Sequence, residues 1–210
     1  MKTKKGFTLI ELLVVIGIIG ILATLGLGGF NMVRDEARKL QNSDKLRSLH
    51  IMLRLYAQSY GSYPSTKSAI TRHQEGDGVR GFYALYNTGR LGSDNIGLLK
   101  PAGASVLDMS SMSRSRTLTI DDFHKGNIGW SYNSMPFPDT AERKPLISFQ
   151  GVKTGRLLYN TTDVALKPVM KGGVLVLFTD SSIEWFDAGS EGKLDGRSLI
   201  KDGDWGLLQD

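Results

Sequence analysis

Residues 1–30 read MKTKKGFTLIELLVVIGIIGILATLGLGGF, a short basic head followed by a long apolar run. From Phe7 to Phe30, Thr8 and Thr24 are the only neutral polar residues and Glu11 is the only charge. These 24 positions, at about 1.5 Å each, predict roughly 36 Å of helix, enough to cross a hydrocarbon core of about 30 Å. Lys2, Lys4 and Lys5 precede the run, which predicts a cytoplasmic N-terminus with everything after Phe30 exported.

Three readings compete for this segment. A secretory signal peptide has an apolar run of about 7–15 residues and then a small-x-small cleavage site. Here the run is longer and no Ala-x-Ala follows it. A plain membrane anchor fits the length but gives no reason for the carboxylate at Glu11. An acidic residue costs about 2.5–3.5 kcal/mol at a helix centre, and less near the end where Glu11 sits. A charge tolerated there is by default functional and calls for a partner.

Lys5-Gly6-Phe7-Thr8-Leu9-Ile10-Glu11-Leu12-Leu13 resembles the class III signal of type IV pilins and type II secretion pseudopilins. The resemblance implies that a membrane peptidase cuts after Gly6 at the cytoplasmic face and methylates the new Phe7 amine. Gly6, lacking a side chain, suits close approach of a peptidase to the backbone. Glu11 is then the fifth residue of the mature chain, and its carboxylate pairs with the Phe7 amine of a neighbouring subunit. One departure stands out: many pilins carry a helix-kinking proline some twenty residues into the mature chain, and none occurs there. Gly26, Gly28 and Gly29 occupy that stretch instead. At about 1 kcal/mol each relative to alanine, they mark a place to bend or unwind, or else a face for close helix packing in the membrane.

The rest of the composition fits one modest globular domain plus this appendage. Hydrophobic residues at 40% and charged residues at 22% exclude a disordered or collagen-like chain. The absence of cysteine excludes disulfides, thiolate metal sites and cysteine nucleophiles. A net charge of +5 invites a nucleic-acid reading, but without the three leader lysines 23 basic residues face 21 acidic ones. Nucleic acid is therefore not expected as a primary partner.

Beyond Phe30 the apolar residues take helical spacing. Val33, Ala37 and Leu40 form one stripe, and Leu46, Leu49, Leu53, Tyr56 and Tyr60 step by three or four. Residues 31–60 thus predict an amphipathic continuation of the span, roughly 80 Å of helix in all if straight. Gly61-Ser62-Tyr63-Pro64 ends it with a left-handed cap and a proline. Tyr56-Ala57-Gln58-Ser59-Tyr60-Gly61-Ser62-Tyr63-Pro64 also resembles the end of the long helix in many pseudopilins, although capping explains it equally well.

A polar loop is expected from Ser65 to Gly78, a short helix at Phe82–Tyr86, and an exposed Ser-rich loop from Pro101 to Arg116. Strands are expected at 117–120, 127–132, 146–149, 156–159, 173–179 and 182–186, the last two joined at Asp180-Ser181. The fold class is α+β: a long N-terminal helix whose C-terminal half packs on an antiparallel sheet within a head of residues 61–210. The hairpin from Lys171 to Phe186 is similar to the final hairpin of many pseudopilin-like proteins, with Ser181 where glycine often stands.

No catalytic constellation emerges. Gly129-Trp130-Ser131-Tyr132-Asn133 lacks the closing glycine of a nucleophile elbow and reads as strand. His50, His73 and His124 match no zinc spacing, and His50 is expected partly exposed. Asp195, Asp202 and Asp204, beside glycines, offer oxygen ligands to calcium or form ordinary turns. Major pseudopilins of type II secretion carry a C-terminal calcium site, but the Asp-x-Asp-x-Asp-Gly run is absent, so no cofactor is expected outright.

The expected function is a non-enzymatic filament subunit of a type II secretion-like machine. It is anchored in the inner membrane by a single pass, with leader 1–6, span 7–30 and a periplasmic head. The resemblance implies as partners other copies and homologous pilin-like subunits, the prepilin peptidase, and an inner-membrane platform with its ATPase. A true or minor pilin, for adhesion, motility or DNA uptake, is the alternative of the same class. A membrane-tethered binding or enzymatic domain is the alternative of another.

Overall fold

The structure is a computed structural model and describes residues 7–65, 81–124, 126–133, 143–149, 152–153, 156–157, 170 and 172–189. Side chains at 24–29, 152–153 and 156–157 lie outside that description. The chain forms two compact units, Met1–Lys39 and Leu40–Asp210.

Helix α1 spans Leu9–Tyr60, 52 residues. Within the first unit its stretch up to Phe30 is apolar apart from Glu11 and Thr24, and every described side chain from Phe7 to Ala23 is exposed. Among the described residues no helix is long and apolar enough to cross a membrane. The span expected at 7–30 includes 24–29, whose side chains are not described.

In the second unit the same helix is two-faced. Leu46, Leu49, Leu53, Tyr56 and Ala57 are buried at helical spacing. The buried stripe is shorter than its pattern suggested: Val33, Leu40 and Tyr60 stay exposed. Periodicity tells which residues share a face, not whether anything covers it. The end of α1 matches expectation. Gly61 adopts φ 79° and donates its N–H to the Ala57 carbonyl at 2.7 Å, a left-handed cap that glycine adopts without penalty.

Two polar residues on α1 hold the backbone at Lys100 and Ala102. Asn42, fully buried, donates to the Ala102 carbonyl at 3.2 Å and accepts from the Ala102 N–H at 2.7 Å. Lys45 Nζ donates to the Lys100 carbonyl at 2.5 Å, and its burial pushes its pKa down. Helix α2, Gly81–Asn87, lies where it was expected. A single 3₁₀ turn at Ile96–Leu99 precedes helix α3, Met109–Ser115.

Helix α3 replaces the Ser-rich loop expected at 101–116. Asp108 caps it by accepting from Ser110 N–H at 2.9 Å, and Met109 and Ser113, one turn apart, face inward. Serine's weak helix propensity hid a helix that its cap and two inward residues stabilise. The strand expected at 117–120 is also absent: Thr119 caps a 3₁₀ turn, Ile120–Asp122.

Strands β1 (Trp130–Tyr132), β2 (Pro145–Phe149), β5 (Gly173–Phe178) and β6 (Ile183–Asp187) form an antiparallel sheet in the order β1-β2-β5-β6. Val152–Lys153 (β3) and Arg156–Leu157 (β4) make a separate two-stranded ladder. The α+β class therefore holds. Strand β1 begins later than expected because Asn127 and Ile128 give their N–H groups to the His124 carbonyl in a turn, and Gly129 gives its own to Leu99. All six residues of β5 are buried, so the strand reads as a continuous apolar run rather than an alternation.

The β5–β6 turn lies at Asp180-Ser181, as expected. Ser181 has φ 71°, a conformation glycine accepts more readily, and Asp180 Oδ1 accepts from Ser182 N–H at 2.9 Å. Arg143 straps the hairpin down: its guanidinium lies 3.8 Å from the Phe178 ring centroid and pairs with Glu184 at 2.5 Å. His50 is buried rather than partly exposed, with Nε2 3.3 Å from the Thr179 carbonyl. Tyr63 OH donates to that same oxygen at 3.4 Å. Sequence spacing placed His50 beside Leu49 and Leu53 but did not reveal that β5 ends above it.

Asp122 carries a testable charge. Arg116 donates to its carboxylate through two nitrogens, at 2.8 and 2.5 Å, and Thr119 N–H adds a third bond at 2.8 Å. Chiefly the arginine bonds hold its carboxyl at about 2, against an ordinary 3.8. A lowered folded-state value means the contribution is complete above about pH 4 and is lost as pH falls through about 2. Melting temperatures measured across that interval should fall less steeply for Asp122→Asn than for the parent chain.

Candidate functional site

The N-terminus of α1 carries the one charge of the apolar segment. Thr8 precedes the first helical residue, and Glu11 is the third residue of the helix. Thr8 N–H and Thr8 Oγ1 each donate to Glu11 Oε2 at 2.8 Å, and Glu11 N–H donates back to Thr8 Oγ1 at 3.3 Å. This reciprocal arrangement is a capping box, which satisfies otherwise open backbone donors of the first turn. The carboxylate also lies where the helix dipole favours negative charge. The Thr-x-x-Glu spacing ahead of an apolar run signals it, and the sequence reading passed over Thr8.

Phe7, Ile10, Glu11, Val14 and Val15 line one shallow apolar recess on this turn. The structure thus brings together two of the expected site residues, Phe7 and Glu11. Gly6 lies outside the described residues. Helix α1 continues through Gly26, Gly28 and Gly29, whose surroundings lie outside the described residues. Asp195, Asp202 and Asp204, His73 and Lys171 likewise lie outside the described residues, as does all but Ser65 of the loop expected at 65–78.

Among the described residues no three His, Asp or Glu side chains gather as a metal group. Ser131 is a buried residue of β1, as its strand reading anticipated. His124 Nδ1 accepts from Gly126 N–H at 3.1 Å, a local turn bond.

The family described as the prokaryotic N-terminal methylation motif matches residues 1–27. Type II secretion system core protein G of Pectobacterium carotovorum subsp. carotovorum is 31% identical over 117 residues, which cover 52% of this chain and 75% of that protein. No solved structure matches the chain. A methylation-type N-terminus, one long leading helix and an antiparallel sheet behind it coincide with that kinship: the chain belongs to the type IV pilin and pseudopilin family.

Proposed function

We propose that this pilin-like subunit is a pseudopilin that polymerises into a cell-envelope filament of a type II secretion-like machine. The observation that carries the reading is the first unit of α1. Every described side chain from Phe7 to Ala23 is exposed, including Leu9 at 82% and Phe7 at 77%. An apolar helix with no covered side belongs in lipid or among other helices. A bilayer houses the subunit before assembly, and a bundle of such helices houses it afterwards.

In this reading residues 1–6 are a leader removed after Gly6, 7–30 the span and assembly helix, 31–60 its continuation and 61–210 the head. The new Phe7 amine is methylated by the peptidase that frees it. Glu11 pairs with that amine on a neighbouring subunit, and Gly26, Gly28 and Gly29 give the helix its place to bend. A membrane platform and its ATPase, together with homologous subunits, complete the assembly. The family's role is structural, so no turnover is assigned to the head.

Mass spectrometry of purified filaments provides the test. The expected mature chain begins at methylated Phe7. A filament subunit that keeps Met1, or one cut near Ala23, would overturn the leader reading.

A further inference from the structure

Within the second unit α1 has a second, outward stripe. Leu40, Asp44, Arg47, Ile51 and Leu55 are spaced three or four apart, within about 80° of the helix circumference. This stripe lies opposite the buried Leu46, Leu49 and Leu53. Leu40 is 63% exposed, Ile51 61% and Leu55 50%. Arg47 and Asp44 form a 2.8 Å ion pair in the middle of the stripe, with side chains 63% and 64% exposed.

An exposed intrahelical pair of this kind adds little to the helix that carries it. Three large apolar side chains in water gain nothing where they are. The combination has a use when the stripe is covered. Burying the pair is unfavourable in any alignment that leaves either charge against a leucine or isoleucine. It is tolerated in an alignment that sets acid against base. The stripe holds one charge of each sign between apolar neighbours, so it is complementary to a shifted copy of itself. Lipid does not suit it, because both charges would face hydrocarbon.

We propose that this outward stripe is a contact surface for a second copy of the chain, and that the Asp44–Arg47 pair sets the axial register of that contact. Polar residues inside an otherwise apolar helix seam specify register in the same way. The inference rests on the polymerisation reading and adds to it which residues fix how far one copy is displaced along the next.

Mixed charge variants in the full-length chain test it, in cells competent for assembly. Asp44→Arg and Arg47→Asp each place like charges on the stripe, and each alone should lower filament yield at least tenfold. Expressed together, the two chains should co-assemble and regain about half or more of the parent yield, because opposite charges again meet between copies. A pair acting only within its own helix predicts no such rescue, and its absence would overturn the proposal. Full yield from either variant alone would do the same.

A second variant reads register directly. Asp44→Leu with Arg47→Leu leaves a continuous apolar stripe and should assemble within about twofold of parent. Its disulfide cross-links should spread over several spacings where the parent gives one. The parent chain has no cysteine, so introduced pairs report without background. A single unchanged spacing in the double variant would overturn the register role. Absence of filaments from the unmodified chain would instead bring down the polymerisation reading itself.

Discussion

On the proposed reading, Glu11→Val chains should insert and be cleaved after Gly6 as readily as parent chains, yet yield only about a hundredth to a few ten-thousandths of the parent's filaments. Insertion is expected to hold or improve because the costly charge is gone. Cleavage is expected to continue because the proposed scissile bond lies outside the changed residue. Assembly is expected to fail because, in the proposed filament, each Phe7 amine entering the apolar interior would lack its carboxylate. A buried charge left unpaired by removal of its partner costs about 3–5 kcal/mol, which sets the expected factor.

The capping box adds a second role for the same carboxylate, and the two roles separate experimentally. Thr8→Ala removes the hydroxyl that donates to Glu11 and accepts its N–H, but keeps the charge. Losing a cap costs about 0.5–2 kcal/mol, so filament yield should drop far less than for Glu11→Val. Glu11→Gln, which keeps hydrogen bonding without charge, should fall between them. Pulse-labelled membranes and counts of sheared filaments measure each step. Normal filament yield from cleaved Glu11→Val protein would refute the pairing role. Mislocalised or uncut protein would make Glu11 a determinant of topology or of the peptidase.

Trp130→Ala should destabilise the head by about 3–5 kcal/mol, the usual range for truncating a buried tryptophan. Trp130 is fully buried, and its ring stacks on Phe149 with centroids 5.2 Å apart and planes 13° from parallel. Its indole N–H donates to the Leu98 carbonyl at 2.8 Å. The truncation therefore opens a cavity, removes a stacked pair and takes that donor from Leu98. Trp130→Phe restores most of the volume but not the donor, and should cost about 1–3 kcal/mol. Denaturant unfolding of the two variants separates packing from hydrogen bonding. Equal losses would mean that the Leu98 bond, not the ring, carries the effect.

The long helix was legible because its signals are local: apolar continuity, a three-to-four step and a glycine stop. The final hairpin was legible for the same reason, with two apolar runs around Asp180-Ser181. The segment between them was less so. Met109–Ser115 looks like a loop by composition, and only Asp108 with its inward neighbours makes it helical. Thr117–Ile120 looks like a strand but spends Thr119 on a cap. Burial of His50 depends on a strand 129 positions away, beyond the reach of any sequence window. At the site, Glu11 announced itself as a lone charge, whereas Thr8 did not, because a threonine in an apolar run attracts no notice until its spacing to the acid is counted.

That separation governs when the head can close. The bonds of His50 and Tyr63 to Thr179 join residues 129 and 116 positions apart. The leucines of α1 leave the ribosome long before the hairpin that helps to seal them. Contacts so distant along the chain form slowly, since a large loop must be closed before any of them is gained. If the part beyond Phe30 crosses in chain order, nearly all of it must reach the far side before the core can assemble. Through that interval the inner stripe of α1 stays wet and adhesive, exposed to every neighbour in transit. Folding of an exported head would thereby be timed by the end of translocation, not by its start.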